Sequence, residues 1–399
     1  LQDFDQPIPQ DKLDIVDKTR SNLFAWRGQF SPQLVEVIFS SYCLPNSVIL
    51  DPFAGSGTVL LEAGFFSLEA YGFEINPAAW ILSQTYELIN ESQRKESLKK
   101  VRTLIDREFP LRIFADGCQL LDLPQKLNRI RNDLDNPEKK VFDALIILLD
   151  VANNQITNEF IQSKFADLAN LIDKLPFSEK QIKVGLADAR SLPLVNNIVD
   201  FVVTSPPYIN VFNYHQNYRK SAEILGWDLL KIARSEIGSN RANRGNRFYT
   251  VVQYCIDMAD TLRELSRVTK NGSRIVFVVG HESNVLGVPF YNADIIEKIA
   301  VKANLFSESL RQKREFKNKF GKIIREDIIN FVNLNNFCSN EVVEQVAREV
   351  AFDILRSSLS LVSSKNLKSL EDAIEKVQDI GRTPILDKRY DVYRTLTAC

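Results

Sequence analysis

The 399-residue chain reads as an α/β protein: a doubly wound, mostly parallel sheet interrupted by a helical insert and followed by a helical tail. Three observations predict this. Short apolar runs alternate with segments of helical spacing. Two of those runs stop abruptly at corners, VILDPFAGSG at 48–57 and DFVVTSPPY at 200–208. Near the end, SLRQKREF and EDIINFVN flank KNKFGKIIR and read as an antiparallel hairpin with a basic tip.

In chain order, QLVEVIFSSY at 33–42 places apolar residues at helical spacing behind Ser31 and Pro32, a start that suits proline in the first turn. A strand at 48–50, a turn carrying Gly55 and Gly57, and a helix from about 57 to 66 follow. EAYGFEIN then supplies a second strand ending at Glu74. Between about 84 and 181 the pattern is charged and amphipathic, as in SQRKESLKKVRTLIDREF and NEFIQSKFADLANLIDKL. A helix-to-strand connection is normally only a few residues long, so this region is an insert. The sheet resumes with IKVGLADA, ending near Asp188, IVDFVVTS, ending at Ser205, and GSRIVFVVG, ending at Gly280; 340–380 is again amphipathic helix. The expected division is a core of 1–85 with 182–337, an insert of 86–181, and an extension of 338–399.

Composition excludes several classes. Five cysteines without CxxC spacing and two histidines argue against a zinc site or a disulfide framework and fit a reducing, cytosolic setting. No run of about 18 apolar residues suggests a membrane span. The opening LQDFDQPIPQDK is polar and acidic, unlike a signal peptide, and starting on Leu1 it reads as a trimmed chain. A net charge of −1 leaves partners undecided, because a nearly neutral protein can still carry one basic face.

The first corner has a chemistry of its own. A glycine turn from strand to helix lets a ligand approach the backbone at the helix's positive end. Glu74 closes the next strand about 20 residues on, where it can accept from ribose hydroxyls. Asp188 closes a third strand, where a carboxylate can accept from an adenine amino group. Each acid alone reads first as a solvated strand-end carboxylate; their order along the chain is what points to a ligand. Leu60 stands where a dinucleotide motif has its third glycine, and no GK[ST] follows, which leaves a smaller nucleoside ligand.

DPFAGSGT together with TSPPY resembles the amino-methyltransferases of DNA, over about 20–85 and 182–335. The resemblance implies a Rossmann-like class I methyltransferase fold with a seven-stranded sheet. It also implies S-adenosyl-L-methionine as cofactor, S-adenosyl-L-homocysteine as product, and no metal. By that similarity Asp51, Phe53, Ala54, Gly55, Ser56, Gly57 and Thr58 line the methionine and sulfonium, Glu74 the ribose, and Asp188 the adenine. FAWRGQFSPQL at 24–34, with Ser31, resembles the segment that closes over the methionine end; Ser31 as a helix cap is the other reading.

The second corner answers a chemical need. An exocyclic amine is a poor nucleophile because its lone pair is delocalised into the ring, and acceptors fixed against its N–H bonds favour the tetrahedral form that attacks. Ser205 Oγ and the Pro206 carbonyl, held by Pro206 and Pro207, would supply them, with Tyr208 stacking on a base flipped out of the duplex. By similarity, serine at the first position of SPPY points to N4 of cytosine ahead of N6 of adenine. Methylation at carbon 5 needs an attacking thiolate, and the chain has no Pro-Cys pair.

Duplex DNA is the expected partner, with a cognate restriction endonuclease implied by the resemblance. Asn213, His215, Arg241, Arg244 and Arg247, beside the second corner, and Lys317, Lys319 and Lys322, at the hairpin tip, are the expected nucleic-acid contacts; the other readings are an ordinary hydrogen-bonded histidine for His215, a solvated loop, and a soluble strand edge. The insert is a candidate for target recognition or for partner binding. The rivals are an adenine methyltransferase of the same architecture, a tRNA guanine N2-methyltransferase, and a DNA-binding module without catalysis.

Overall fold

The computed structural model describes residues 6–26, 28–111, 122–209, 214–239, 243, 245–318 and 321–386. In chain order the strands are β1 (Val48–Asp51), β2 (Glu69–Glu74), β3 (Ile182–Leu186), β4 (Val199–Thr204), β5 (Thr269–Gly280), β6 (Glu282–Val285), β7 (Val288–Tyr291), β8 (Phe306–Lys317) and β9 (Ile323–Asn333). Seven of them form one sheet in the order β3-β2-β1-β4-β5-β9-β8, while β6 and β7 make a small ribbon. The first five strands of the sheet are mutually parallel, and β9 is antiparallel to both β5 and β8. This is the Rossmann-like arrangement with a terminal antiparallel hairpin.

The order places the two corners together. The chain starts at β1, winds outward through β2 and β3, then returns to β4 on the other side of β1. In such a sheet ligands bind outside the carboxyl ends of the strands where the winding reverses. β1 and β4 are direct neighbours, with Ile49 opposite Phe201 and Leu50 opposite Val202, so DPFAGSG and TSPPY leave the sheet side by side.

Alternation along the strands builds two cores. Ile49, Phe201 and Val203 pack on one face with helices Pro32–Tyr42 and Thr58–Phe65. Leu50 and Val202 pack on the other with helices Tyr249–Val268, Asn292–Lys302 and Asn340–Ser357. The region between β2 and β3 carries helices Arg94–Glu108, Leu123–Asn132, Glu138–Leu148 and Asn158–Asp173. Its Val101, Phe142 and Phe165 are buried in the same cluster as Ile182 and Val184, so the insert thickens one face of the sheet rather than closing a core of its own.

The carboxyl-terminal extension does more than cover the second face. After helix Ser364–Glu375, residues 381–386 run back toward the cleft. There the Arg190 guanidinium, fully buried, donates to the carbonyls of Thr383 at 2.7 Å and Pro384 at 3.0 Å. Arg190 also bridges Asp188 and Asp257, at 2.7 and 2.8 Å. Nothing in the sequence pattern announces this return.

Candidate active site

The first corner is built by local geometry that only small residues permit. Gly57 adopts φ +90° at the start of helix Thr58–Phe65, and a Cβ there would come within 2.6 Å of the Tyr86 ring. Its N–H closes the turn on the Ala54 carbonyl at 2.8 Å, and Ala54 N donates to Phe73 O at 2.9 Å. Asp51, 1% exposed, accepts from Phe53 N at 3.1 Å and from the Thr204 hydroxyl at 2.7 Å. It therefore ties the two corners together from beneath instead of facing the ligand space. Burial pushes the Asp51 carboxyl up to about 7.

Glu74 is set by the same turn. One oxygen accepts from Gly55 N and the other from Asn76 N, both at 2.8 Å. Each oxygen keeps a lone pair for a ligand. Burial raises this carboxyl too, to about 7, against the pull of those backbone donors.

A cavity of about 860 Å³, partly open to solvent, brings the predicted residues together: Phe53, Ala54, Gly55, Thr58, Glu74, Asp188, Ser205 and Pro207 all line it. Asp51, Ser56, Gly57 and Tyr208 stand behind the wall, and Pro206 joins the lining residues Ser205 and Pro207. Asp188 requires a correction. Its carboxylate receives Arg190 N and Nε at 3.0 and 2.9 Å on one oxygen, and Arg190 Nη2 and Leu386 N at 2.7 and 3.1 Å on the other. Four N–H groups fill both oxygens, so no acceptor remains there for an adenine amine.

The second corner is closely packed. Pro206 is buried, and the Tyr208 ring packs so closely on β5 that a Cβ at Gly280 would lie 2.9 Å from it. Ser205 Oγ and Tyr208 OH are 3.4 Å apart. Burial, and after it the Glu326 carboxylate, drive the Tyr208 phenol above its usual value.

Ser205 also lines a second cavity, of about 710 Å³ with its solvent-open space, bounded by Asn22, Gln29, Phe30, Ser31, Arg314 and Glu326 among others. Ser31 faces this cavity, not the one lined by Gly55. It starts helix Pro32–Tyr42 without a side-chain cap, and its buried hydroxyl has no partner among the described residues.

The expected nucleic-acid contacts divide. Lys317 and Lys322 are exposed at the hairpin tip, and Arg247 is half-buried beside the start of helix Tyr249–Val268. His215 is 2% exposed, with Nδ1 3.1 Å from Glu236 Oε2 and Nε2 2.9 Å from the Gln216 amide, so it is a buried structural histidine rather than a DNA contact. Asn213, Arg241, Arg244 and Lys319 lie outside the described residues. In the basic run of the hairpin, Arg311 is paired with Asp294 and Glu308, and Arg325 with Glu315; these charges are already answered within the protein.

Several lining residues had no sequence signal. Asn76, Tyr214, Ser235, Glu236 and Ile237 are among them, whereas Trp26, Gln29 and Phe30 come from the FAWRGQFSPQL segment. The stretch holding Glu236 reads as a polar loop, and only the fold brings it opposite Glu74.

A family model described as DNA methylase, of the N6/N4 type, matches residues 10–84. Type II methyltransferase M.MjaII of Methanocaldococcus jannaschii is 28% identical over 82 residues, covering 20% of this chain and 16% of that protein. M.AvaI of a Nostoc species is 21% identical over 385 residues, covering 71% and 78%. M.BsoBI of Geobacillus stearothermophilus is 23% identical over 273 residues, covering 53% of each. Over these stretches the chain is similar to the DNA amino-methyltransferases. The family match starts ahead of the helix Pro32–Tyr42 and ends after the helix that follows Glu74, so it takes in the glycine turn and stops short of SPPY.

Among solved structures, a SAM-dependent methyltransferase from Methanosarcina mazei superposes with a TM-score of 0.36 at 13% identity, over 74% of this chain and 97% of that one. An rRNA methyltransferase from Streptomyces viridochromogenes gives 0.34 at 12%, over 78% and 90%. The likeness to DNA methylases supports S-adenosylmethionine as the cofactor, and the first cavity suits it. Glu74 and Glu236 give that cavity an acidic lining, complementary to a sulfonium and an ammonium, and Glu74 has acceptor capacity left for ribose hydroxyls. Among the described residues, no group of His, Cys, Asp and Glu is placed to hold a metal ion, and no helix is long and apolar enough to cross a membrane.

Proposed function

We propose that this protein methylates the N4 amine of a cytosine flipped out of duplex DNA, at a specific sequence and within a restriction-modification system. One observation carries the reading: Ser205, the first residue of the SPPY corner, lies in the wall of the same cavity as Gly55 and Glu74. When bound there, S-adenosylmethionine supplies the methyl group. Glu74 would hold the ribose hydroxyls, and the turn from Phe53 to Thr58 would cover the methionine end with backbone that glycine keeps low. Asp188 would act through Arg190 and the position of its own main chain, between Ala187 and Ala189, as the wall beside the adenine.

On the opposite lip, Ser205 Oγ and the Pro206 carbonyl would accept from the two N–H bonds of the target amine. That draws the nitrogen out of the ring plane and frees its lone pair. Two prolines fix their φ angles and Tyr208 packs against Gly280, which restricts the corner before the base arrives. The nitrogen lone pair would form the N–CH3 bond as the S–CH3 bond breaks, leaving S-adenosylhomocysteine, and the methylated amine would shed one proton to water. Serine at this position, by the resemblance of SPPY to the cytosine-modifying enzymes, favours cytosine. The exposed Lys317 and Lys322 would meet the DNA backbone.

The test is incubation with labelled S-adenosylmethionine and either plasmid DNA or tRNA, followed by nucleoside digestion and mass identification. N4-methylcytosine is the expected product. N6-methyladenine alone would replace cytosine by adenine, and label recovered only in tRNA would overturn the DNA reading.

A further inference from the structure

The second cavity holds a set of polar atoms that the described residues leave unanswered. Arg314 is 3% exposed, and its Nε and Nη1 make no hydrogen bond with any described residue. Glu326 Oε2 lies 3.4 Å from Nε, an ion pair without hydrogen-bond geometry. The guanidinium lies over the Phe316 ring, 4.4 Å from its centroid. Asn22 Oδ1 and Ser31 Oγ, buried in the same wall, are likewise without partners among the described residues. A buried charged donor left unbonded is costly, and gathering such a donor with two more unanswered polar atoms around one cavity is what a ligand's polar edge would justify.

The position of this cavity narrows the ligand. It meets the cofactor cavity at Ser205, Gln29 and Phe30, so its contents lie against the proposed amine acceptor from the side away from Glu74. Phe30 and Phe316 give it aromatic walls. A planar ring whose amine sits at Ser205 would thus turn its remaining edge toward Arg314. On cytosine that edge continues from the amine to two acceptors, N3 and O2; on adenine it continues to one acceptor, N1, and then a C–H. A guanidinium beyond the first ring nitrogen finds a partner only on cytosine.

We infer that Arg314 is a specificity-determining residue, donating from Nη1 to O2 of the extruded cytosine. This rests on the cytosine reading above. Glu326 holds the guanidinium in place from the Nε side, and β8 and β9, whose register pairs Arg314 with Glu326, deliver both residues to the cavity. The hairpin thereby serves base selection at its middle as well as DNA approach at its tip.

The experiment uses the full chain and a duplex built on the site that the wild-type protein methylates in plasmid DNA. Arg314→Lys keeps a charge opposite Glu326 but moves the donor; Arg314→Met with Glu326→Gln removes the pair together and serves if the first variant does not fold. The expected result is a fall in kcat/KM of roughly 10- to 150-fold, the loss typical of one charge-assisted hydrogen bond, with S-adenosylmethionine affinity and the salt dependence of DNA binding unchanged. Replacing the target by 2-thiocytosine, whose sulfur is a poor acceptor, should slow the wild type and cost the variant little more, a non-additive cycle. Weakened cofactor binding would instead assign Arg314 to the methionine carboxylate, and a shallower salt slope to a phosphate. Either of these, or additive losses in the cycle, overturns the inference. N6-methyladenine from the wild type would be read before any variant, and it would remove the cytosine reading itself.

Discussion

The two cavities that meet at Ser205 differ in charge and in how far their polar groups are satisfied. On the cofactor side the acids are already engaged: Asp51 by Thr204 and Phe53, Glu74 by Gly55 and Asn76, Asp188 by Arg190 and Leu386. On the other side Asn22 Oδ1, Ser31 Oγ and two nitrogens of Arg314 have no such partners among the described residues. The first is organised by its own hydrogen bonds before any ligand arrives; the second is left for its ligand to complete. A small cofactor that must bind repeatedly suits a finished site, while a base extracted from a helix can supply the absent hydrogen bonds as part of its selection.

The largest effect that would break this contrast lies at Arg190. It is buried between Asp188 and Asp257 and holds the carboxyl-terminal segment to the cleft. Arg190→Met would leave two buried carboxylates without their cation and should cost about 3–5 kcal/mol of stability, read by urea unfolding, with loss of cofactor binding. An unchanged midpoint would mean that the cofactor side does not depend on this network.

Next is Ser205→Ala. It removes one of the two amine acceptors and should lower turnover by roughly 10²- to 10³-fold while leaving S-adenosylmethionine affinity unaltered in calorimetry. A loss of cofactor affinity instead would place Ser205 on the wrong side of the contrast.

The third effect follows pH. Burial holds the Glu74 carboxyl at about 7, raised from its ordinary 4.5. Ribose hydroxyls donate to the ionised form, so binding favours loss of that proton. Cofactor affinity should therefore be full above about 7 and fall as pH drops through it, by up to about tenfold per unit. Asp51 lies in the same range, but its partners are the Thr204 hydroxyl and Phe53 N, and it does not line the cavity. Glu74→Gln should bind more weakly at high pH and lose the dependence; a variant that keeps the full slope would assign it to another group.

The smallest effect concerns the DNA side of the hairpin. Charge reversal at Lys317 and Lys322 should weaken DNA binding and flatten its salt dependence by about one unit of slope for each phosphate no longer neutralised. The methylated product should stay the same, because neither lysine lines a cavity shared with Ser205. A changed product would link the tip to base selection and blur the division proposed for β8 and β9.

Legibility in the sequence followed the same line. The strands, the glycine turn and the proline corner were readable because each depends on local rules: alternation, φ values that glycine permits, donors that proline lacks. Glu74 was readable because it closes a strand one step from the turn. Asp188 was readable as a strand end but not as a filled carboxylate, since Leu386 reaches it from 198 residues away. Arg314 was visible only as one charge in a basic run. Antiparallel pairing with Glu326, and the side of the strand it occupies, turn it inward, whereas Lys313 and Lys317 of the same run are exposed. For His215 the sequence left both a DNA contact and an ordinary hydrogen-bonded histidine open, and its partner Glu236, set by the fold, decides for the second.

The most direct measurement is the structure of the protein with S-adenosylhomocysteine and a duplex carrying the methylated site. The account predicts the nucleoside against Glu74 and a cytosine out of the helix, its amine at Ser205 and its O2 at Arg314. Cofactor density running into the cavity of Arg314, or a target base still stacked in the duplex with Ser205 facing only solvent, would contradict it.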